Sequence, residues 1–265
     1  MEKYCRLIPD HYLKYSEYGK VVSNFDGYFP HYYPGVKDGS AVPFKYSGQV
    51  PQGTIAYLSW IHSSEQLKKQ IELHDYSQYK IIIFANEYFL DNGKPRGKIN
   101  IDFTEHKFWT LKKAFPDSQL WITDYRPRSL KLWNGLRSFI KERSLPVDGI
   151  GIHCYLELDR PVSIEITIAA YLQAIKIQCW LNRRIAPIAF SEVGVFPGSD
   201  PAGLASGYNA LIEAAIAERV EWMNYWAPTD YDSFHWIPSK LRDCGLYDRS
   251  FTLKPGLTEP WHHQY

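Results

Sequence analysis

Residues 80–88 read KIIIFANEY. Five consecutive apolar residues, three of them isoleucine, suit a strand buried on both faces and are too few for a helix. The run ends in Asn86-Glu87-Tyr88, and Asp91-Asn92-Gly93 supplies turn chemistry. Residues 104–115 then read as a helix, with Phe108, Leu111 and Phe115 on one face and Pro116 as its stop. The alternation continues. Residues 119–123, 148–152, 185–191 and 220–226 read as strands, and 128–144, 163–181 and 202–219 as helices. Strand starts recur every 29 to 39 residues, which implies parallel βαβ units with right-handed crossovers. Two architectures fit, an open doubly wound sheet or a closed (β/α)8 barrel. No strand is followed by a glycine-rich phosphate loop, which weakens a nucleotide-binding open sheet.

Upstream the pattern is harder to read. Residues 54–61 (TIAYLSWI) read as a strand and 63–76 as a helix, with capping residues at Ser63, Ser64 and Glu65. Residues 1–50 are turn-rich and Tyr-rich, with two short strands at most. No linker or low-complexity segment divides the chain, so residues 1–265 are expected to form one domain. Fewer than 80 residues precede the first clear strand, too few for three more units of this length. A barrel abbreviated at the N-terminus, with short early strands, missing early helices or an open side, is therefore expected. An open side would leave strand edges for a second copy to cover.

The polar chemistry sits at the strand tips. They end in Asn86-Glu87-Tyr88, Asp124-Tyr125, His153-Cys154-Tyr155, Ser191-Glu192 and Trp226. In a (β/α)8 barrel such tips converge on the face that carries active sites. A lone strand-end carboxylate is usually structural, but two glutamates, a histidine and a tryptophan on one face form a set. Two facing carboxylates suit glycoside hydrolysis, in which one gives a proton to the leaving oxygen and the other attacks or stabilises the sugar carbon.

Composition narrows the alternatives. The 265 residues are 45% hydrophobic and 22% charged, with a net charge of +1. That is globular, and it offers no basic field for nucleic acid or an anionic membrane. No run of 18 apolar residues is present, and the first 15 residues hold no apolar segment of the signal-peptide kind. The four cysteines (Cys5, Cys154, Cys179, Cys244) show no metal spacing and read as buried thiols. His262-His263 reads as a solvated tail, and no G-x-S-x-G marks a serine nucleophile. No metal or cofactor is expected. The 20 Tyr, 13 Phe and 9 Trp fill a core and also suit stacking on sugars.

At these residues the chain resembles the retaining glycoside hydrolases of clan A, most closely family 10, the endo-1,4-β-xylanases. IIIFANEYF (81–89), LWITDY (120–125), VDGIGIHCYL (147–156), IAFSEVGV (188–195), WMNYWAPTDYDSFHW (222–236) and CGLYDRSFTLKPGL (244–257) resemble family segments in order. The resemblance covers roughly residues 50–257. It implies a (β/α)8 barrel that cleaves β-1,4-linked polysaccharide, xylan first among candidates, by double displacement. By resemblance Glu87 is the acid/base and Glu192 the nucleophile. Asn86 would bond the sugar 2-hydroxyl, Trp226 would be a sugar platform, and Asp124 and Tyr125 would shape the rim. Two departures stand out. The family's Gln-x-His is replaced by His153-x-Tyr155, a pattern closer to family 5, and Tyr155 could still donate to Glu192. The Glu-Asn and Trp-His pairs that grip the sugar have no counterpart in residues 1–50. A barrel that binds carbohydrate without cleaving it is the alternative these gaps favour. The sequence gives no compartment.

Overall fold

A computed structural model describes residues 1–7, 19, 21–30, 36–37, 40–41, 54–73, 75–97, 99–158, 162–197, 202–230 and 243–257. Eight parallel strands form one sheet: β1 (Glu2–Leu7), β2 (Gly27–Pro30), β3 (Ile55–Tyr57), β4 (Ile81–Asn86), β5 (Gln119–Asp124), β6 (Gly149–Glu157), β7 (Ile188–Phe196) and β8 (Trp222–Tyr225). In space they run β2-β1-β8-β7-β6-β5-β4-β3. The two outermost strands then meet, since the Thr54 N–H donates to the Tyr28 carbonyl at 2.6 Å. The result is a nearly closed (β/α)8 barrel.

Among the described residues five helices follow the later strands: α1 (Ser64–Leu73), α2 (Ile101–Ala114), α3 (Leu130–Glu142), α4 (Ile164–Asn182) and α5 (Ala202–Ala217). Each legible element of the sequence appears within a few residues of its expected bounds, although β6 and β7 extend further, to Glu157 and Phe196. The abbreviation falls on β2 and β3, of four and three residues. The expected open side is corrected by the Thr54–Tyr28 bond. The connections flanking β2, where early helices were expected to be missing, lie largely outside the described residues. Residues Val36–Lys37 and Ser40–Ala41 form a small antiparallel ribbon.

Local chemistry sets the helix starts. Asn100 caps α2 by accepting from the Phe103 N–H at 3.0 Å, and Ser163 caps α4 from Ile166 at 3.3 Å. At α1, Ser63 accepts from the Gln66 N–H while the Gln66 side chain accepts from His62, a reciprocal cap.

Alternate strand residues point to two cores. Inside the barrel Tyr4, Ile55, Ile81, Ile83, Trp121, Ala189 and Trp222 pack together. Trp121 and Trp222 meet edge-to-face at 5.0 Å. Between sheet and helices lies the larger core, where Phe84 of β4 meets Phe108 of α2 at 5.2 Å. Gly149 is there because a Cβ would stand 2.3 Å from the Trp121 ring. The barrel floor is thus plugged by indoles, and the open end belongs to the strand tips.

Candidate active site

Three strand pairings slip by one residue just ahead of a polar tip. One extra residue lies in β4, where Ile83–Ala85 runs against Trp121–Ile122, and one in β7, where Ala189–Glu192 runs against Gly151–His153 of β6 and Phe190–Val193 against Met223–Tyr225 of β8. A bulge re-aims the side chains that follow it. Glu87, His153 and Glu192 thereby converge, and Trp226 follows the third slip. Glu87 itself has φ of 54°, a left-handed conformation costly for a non-glycine residue, and its N–H is tied to the Thr123 carbonyl at 2.9 Å.

His153 stands between the two glutamates, fully buried. Its Nδ1 lies 3.2 Å from Glu87 Oε1 and its Nε2 3.8 Å from Glu192 Oε1. Glu192 is nine-tenths buried; Tyr155 Oη donates to its Oε2, and Tyr57 Oη donates to Oε1 at 3.3 Å. Arg96 Nη1 lies 3.7 Å from Glu87 Oε2. Asn86 accepts from the Thr123 hydroxyl through its Oδ1.

The electrostatics of Glu87 are not those of an acid held protonated at rest. Burial pushes its pKa up, but the hydrogen bond and charge of His153, with Arg96 and Arg126, outweigh burial and hold the carboxyl below its ordinary value. Burial lowers the pKa of His153, and the surrounding carboxylates of Glu192, Glu87 and Asp124 raise it above the ordinary value.

Asp124 is not on the rim. It is fully buried, and its two oxygens accept the Phe89 N–H at 3.1 Å and the Tyr125 N–H at 2.9 Å. It pins the loop after Glu87, and burial raises its pKa to about 7. Tyr125 is half-buried and lines the cavity, with the Arg96 and Arg126 guanidiniums each 4.8 Å from its ring centre. Trp226 is nine-tenths buried and meets Tyr155 edge-on at 5.7 Å.

An open cavity of about 610 Å³ runs from His153 and Tyr155 outward past Tyr125, Arg126 and Arg128. It has room for sugar rings on the β5–β6 side of His153, and among the described residues neither Glu87 nor Glu192 lines it. Among the described residues no cluster of side chains is suited to a metal ion. The arrangement offers two carboxylates, one fixed by hydroxyls and one beside a cation, on either side of a histidine that lines the cavity.

The sequence reading missed Tyr57, Arg96 and Lys107. Tyr57 ends β3, and its position at the end of TIAY was the available signal. Arg96 lies in the loop after β4 and carried none. Lys107 reads as an ordinary helix lysine, yet it is fully buried. Its ammonium donates to the carbonyls of Leu58 (3.2 Å), Ser59 (3.3 Å) and Ile61 (3.0 Å) and to Tyr88 Oη at 2.8 Å. It ties the loop after β3 to the residue after Glu87.

The comparisons bear on the family and the fold. The family described as Glycosyl hydrolase family 10 matches residues 69–260. Endo-1,4-beta-xylanase C of Phanerodontia chrysosporium is 24% identical over 231 residues, covering 75% of this chain and 55% of that protein. The chain thus spans about half the length of the curated relative it matches. Among solved structures, a GH10 endoxylanase from a sugarcane soil metagenome superposes with a TM-score of 0.71 at 16% identity, covering 97% of this chain and 94% of that one. A psychrophilic family 10 endo-beta-1,4-xylanase gives 0.70 at 14% identity, with the same coverage.

Proposed function

This chain belongs to glycosyl hydrolase family 10, and from that membership we propose that it hydrolyses β-1,4-linked xylan with retention at the anomeric carbon. The observation that carries the reading is the pair of Glu87, directly after β4, and Glu192, midway along β7, joined through His153 at 3.2 and 3.8 Å. Glu192 attacks the sugar carbon while Glu87 protonates the departing oxygen, and a glycosyl ester forms on Glu192. Glu87, now a carboxylate, takes a proton from water, which releases the sugar. Tyr155 and Tyr57 orient the nucleophile. In this reading Asn86 bonds the 2-hydroxyl, and the cleft past Tyr125 receives the leaving-group sugars. One relative's structure, a Cellvibrio japonicus xylanase, holds xylopentaose, which supports an oligosaccharide as ligand.

The test is covalent trapping. A 2-fluoro-xyloside inactivator is expected to label Glu192, read by mass spectrometry of the digested protein, with reducing-sugar release from xylan lost in step. A label on another residue with activity lost would refute the nucleophile. The second reading, binding without turnover, is favoured by the cationic surroundings that keep Glu87 ionised. Xylan retained on a column with no sugar released would decide for it.

A further inference from the structure

The imidazole of His153 has an acceptor on either side. Nδ1 faces Glu87 Oε1 at 3.2 Å, and Nε2 faces Glu192 Oε1 at 3.8 Å with no hydrogen-bond partner among the described residues. A neutral imidazole has one donor and one lone pair. In this fully buried place a neutral ring would turn that lone pair on a carboxylate. Only the doubly protonated ring satisfies both sides.

We propose that His153 is the resting place of the first proton: an imidazolium between the two glutamates that passes its Nδ1 proton to Glu87 when the glycosidic bond is to be broken. The proposal rests on the reading of Glu87 as acid/base. His153 touches no sugar in this role. It acts through Glu87 as a positioning residue.

The surroundings favour this from every side. Glu87 comes from β4, Asp124 from β5 and Glu192 from β7, three carboxylates about one ring. Tyr155 of β6 presents its ring edge at 5.9 Å, and Tyr57 of β3 reaches the cluster through Glu192. Arg96 and Arg126 lie beyond Glu87 and keep it a carboxylate while the site is open to water. The timing follows from charge. As Glu192 attacks, its carboxylate becomes a neutral ester, and the anion facing Nε2 disappears. The imidazolium is then less favoured at the moment Glu87 needs a proton.

Protons balance over the cycle. The Nδ1–H bond breaks and an O–H bond forms on Glu87, leaving a neutral imidazole. That proton passes to the glycosidic oxygen as the C–O bond breaks and the Glu192 ester forms. In the second half Glu87 takes a proton from the attacking water, Glu192 leaves as carboxylate, and the proton returns to Nδ1.

The experiment is an NMR titration of the ring nitrogens of His153 in the full chain, before and after esterification of Glu192 by the 2-fluoro-xyloside. In the free protein the imidazolium signature should persist above pH ~6.5, where an unperturbed histidine is half-deprotonated. After esterification the titration should move down by about 1 pH unit or more, the coupling expected of interacting sites. A neutral ring at pH 6–7 in the free protein would overturn the proposal, as would a titration indifferent to the ester. Kinetics add an independent reading. With xylo-oligosaccharides, whose leaving groups need a proton, His153→Asn should move the alkaline limb of kcat/KM to lower pH by about 1 unit or more. With dinitrophenyl xylosides, which need none, that limb should stay. An unmoved limb on oligosaccharides would also overturn it. If no ester forms and no xylan is cleaved, the hydrolase reading fails, while the titration of the free protein still decides the charge on His153.

Discussion

Tyr155 and Tyr57 hold the two oxygens of Glu192 unequally. Tyr155 makes the closer bond, to Oε2, and Tyr57 lies 3.3 Å from Oε1. A hydrogen bond to a charged group contributes about 1.5–3 kcal/mol. Tyr155→Phe is therefore expected to lower kcat on xylan about 10–100-fold, because each 1.4 kcal/mol is about tenfold in rate. Tyr57→Phe should cost less than about tenfold, since its bond is long. Steady-state kinetics of the two variants decide the order, and a larger loss in Tyr57→Phe would contradict it. The same scale shows why Asp124 was misplaced. Its position at a strand tip was legible, but its direction was not. Its carboxyl accepts from the backbone amides of Phe89 and Tyr125, and those bonds hold it fully buried instead of at the surface.

At the scale of elements, the later strands and helices were legible because each carries one uninterrupted signal. Ile81 to Ala85 are buried without a break, and α3 presents Leu132, Leu136, Phe139 and Ile140 to the core. The bulges in β4 and β7 were illegible, because strands buried on both faces show no alternation for an extra residue to interrupt. They decide the site, since they turn the glutamates and His153 toward one another. Tyr57 was missed because β3 is three residues long and gives no periodicity to read. Lys107 was missed because its burial depends on three carbonyls from another element. Burial drives its ammonium well below the ordinary lysine value. The sign follows: the unfolded chain binds that proton more readily, so this group's contribution to stability rises with pH up to the ordinary lysine pKa, ~10.4. Lys107→Met should abolish that rise. It should also cost about 1–3 kcal/mol, the penalty of buried acceptors left without a donor, read from urea melts at several pH values. A variant as stable as the parent at every pH would show that the clamp adds nothing.

Closure of the barrel is a property of the whole chain, and it is weakest where the early strands are shortest. Among the described residues, β2 and β3 are joined by the single backbone bond from Thr54 to Tyr28, whereas β6 and β7 share a long ladder from Ile150–Ile188 to Glu157–Phe196. Amide exchange should therefore open first in β2 and β3 and last in β6 and β7, because local opening follows the density of protected bonds. The seam also tolerates no side chain at residue 27. A Cβ on Gly27 would stand 1.9 Å from Thr54 Oγ1 and 2.8 Å from its Cβ, so rotating the hydroxyl away relieves only part of the clash. Gly27→Ala should cost about 1–3 kcal/mol, as overpacking does. Adding Thr54→Ala should return part of it, a coupling that a double-mutant cycle reads directly. The consequence reaches the site, because β3 carries Tyr57 to Glu192. Opening the seam should therefore weaken turnover along with stability, and the second substitution should restore both. Stability restored with turnover still depressed would separate the seam from the site; additive losses in the cycle would mean the two residues do not meet.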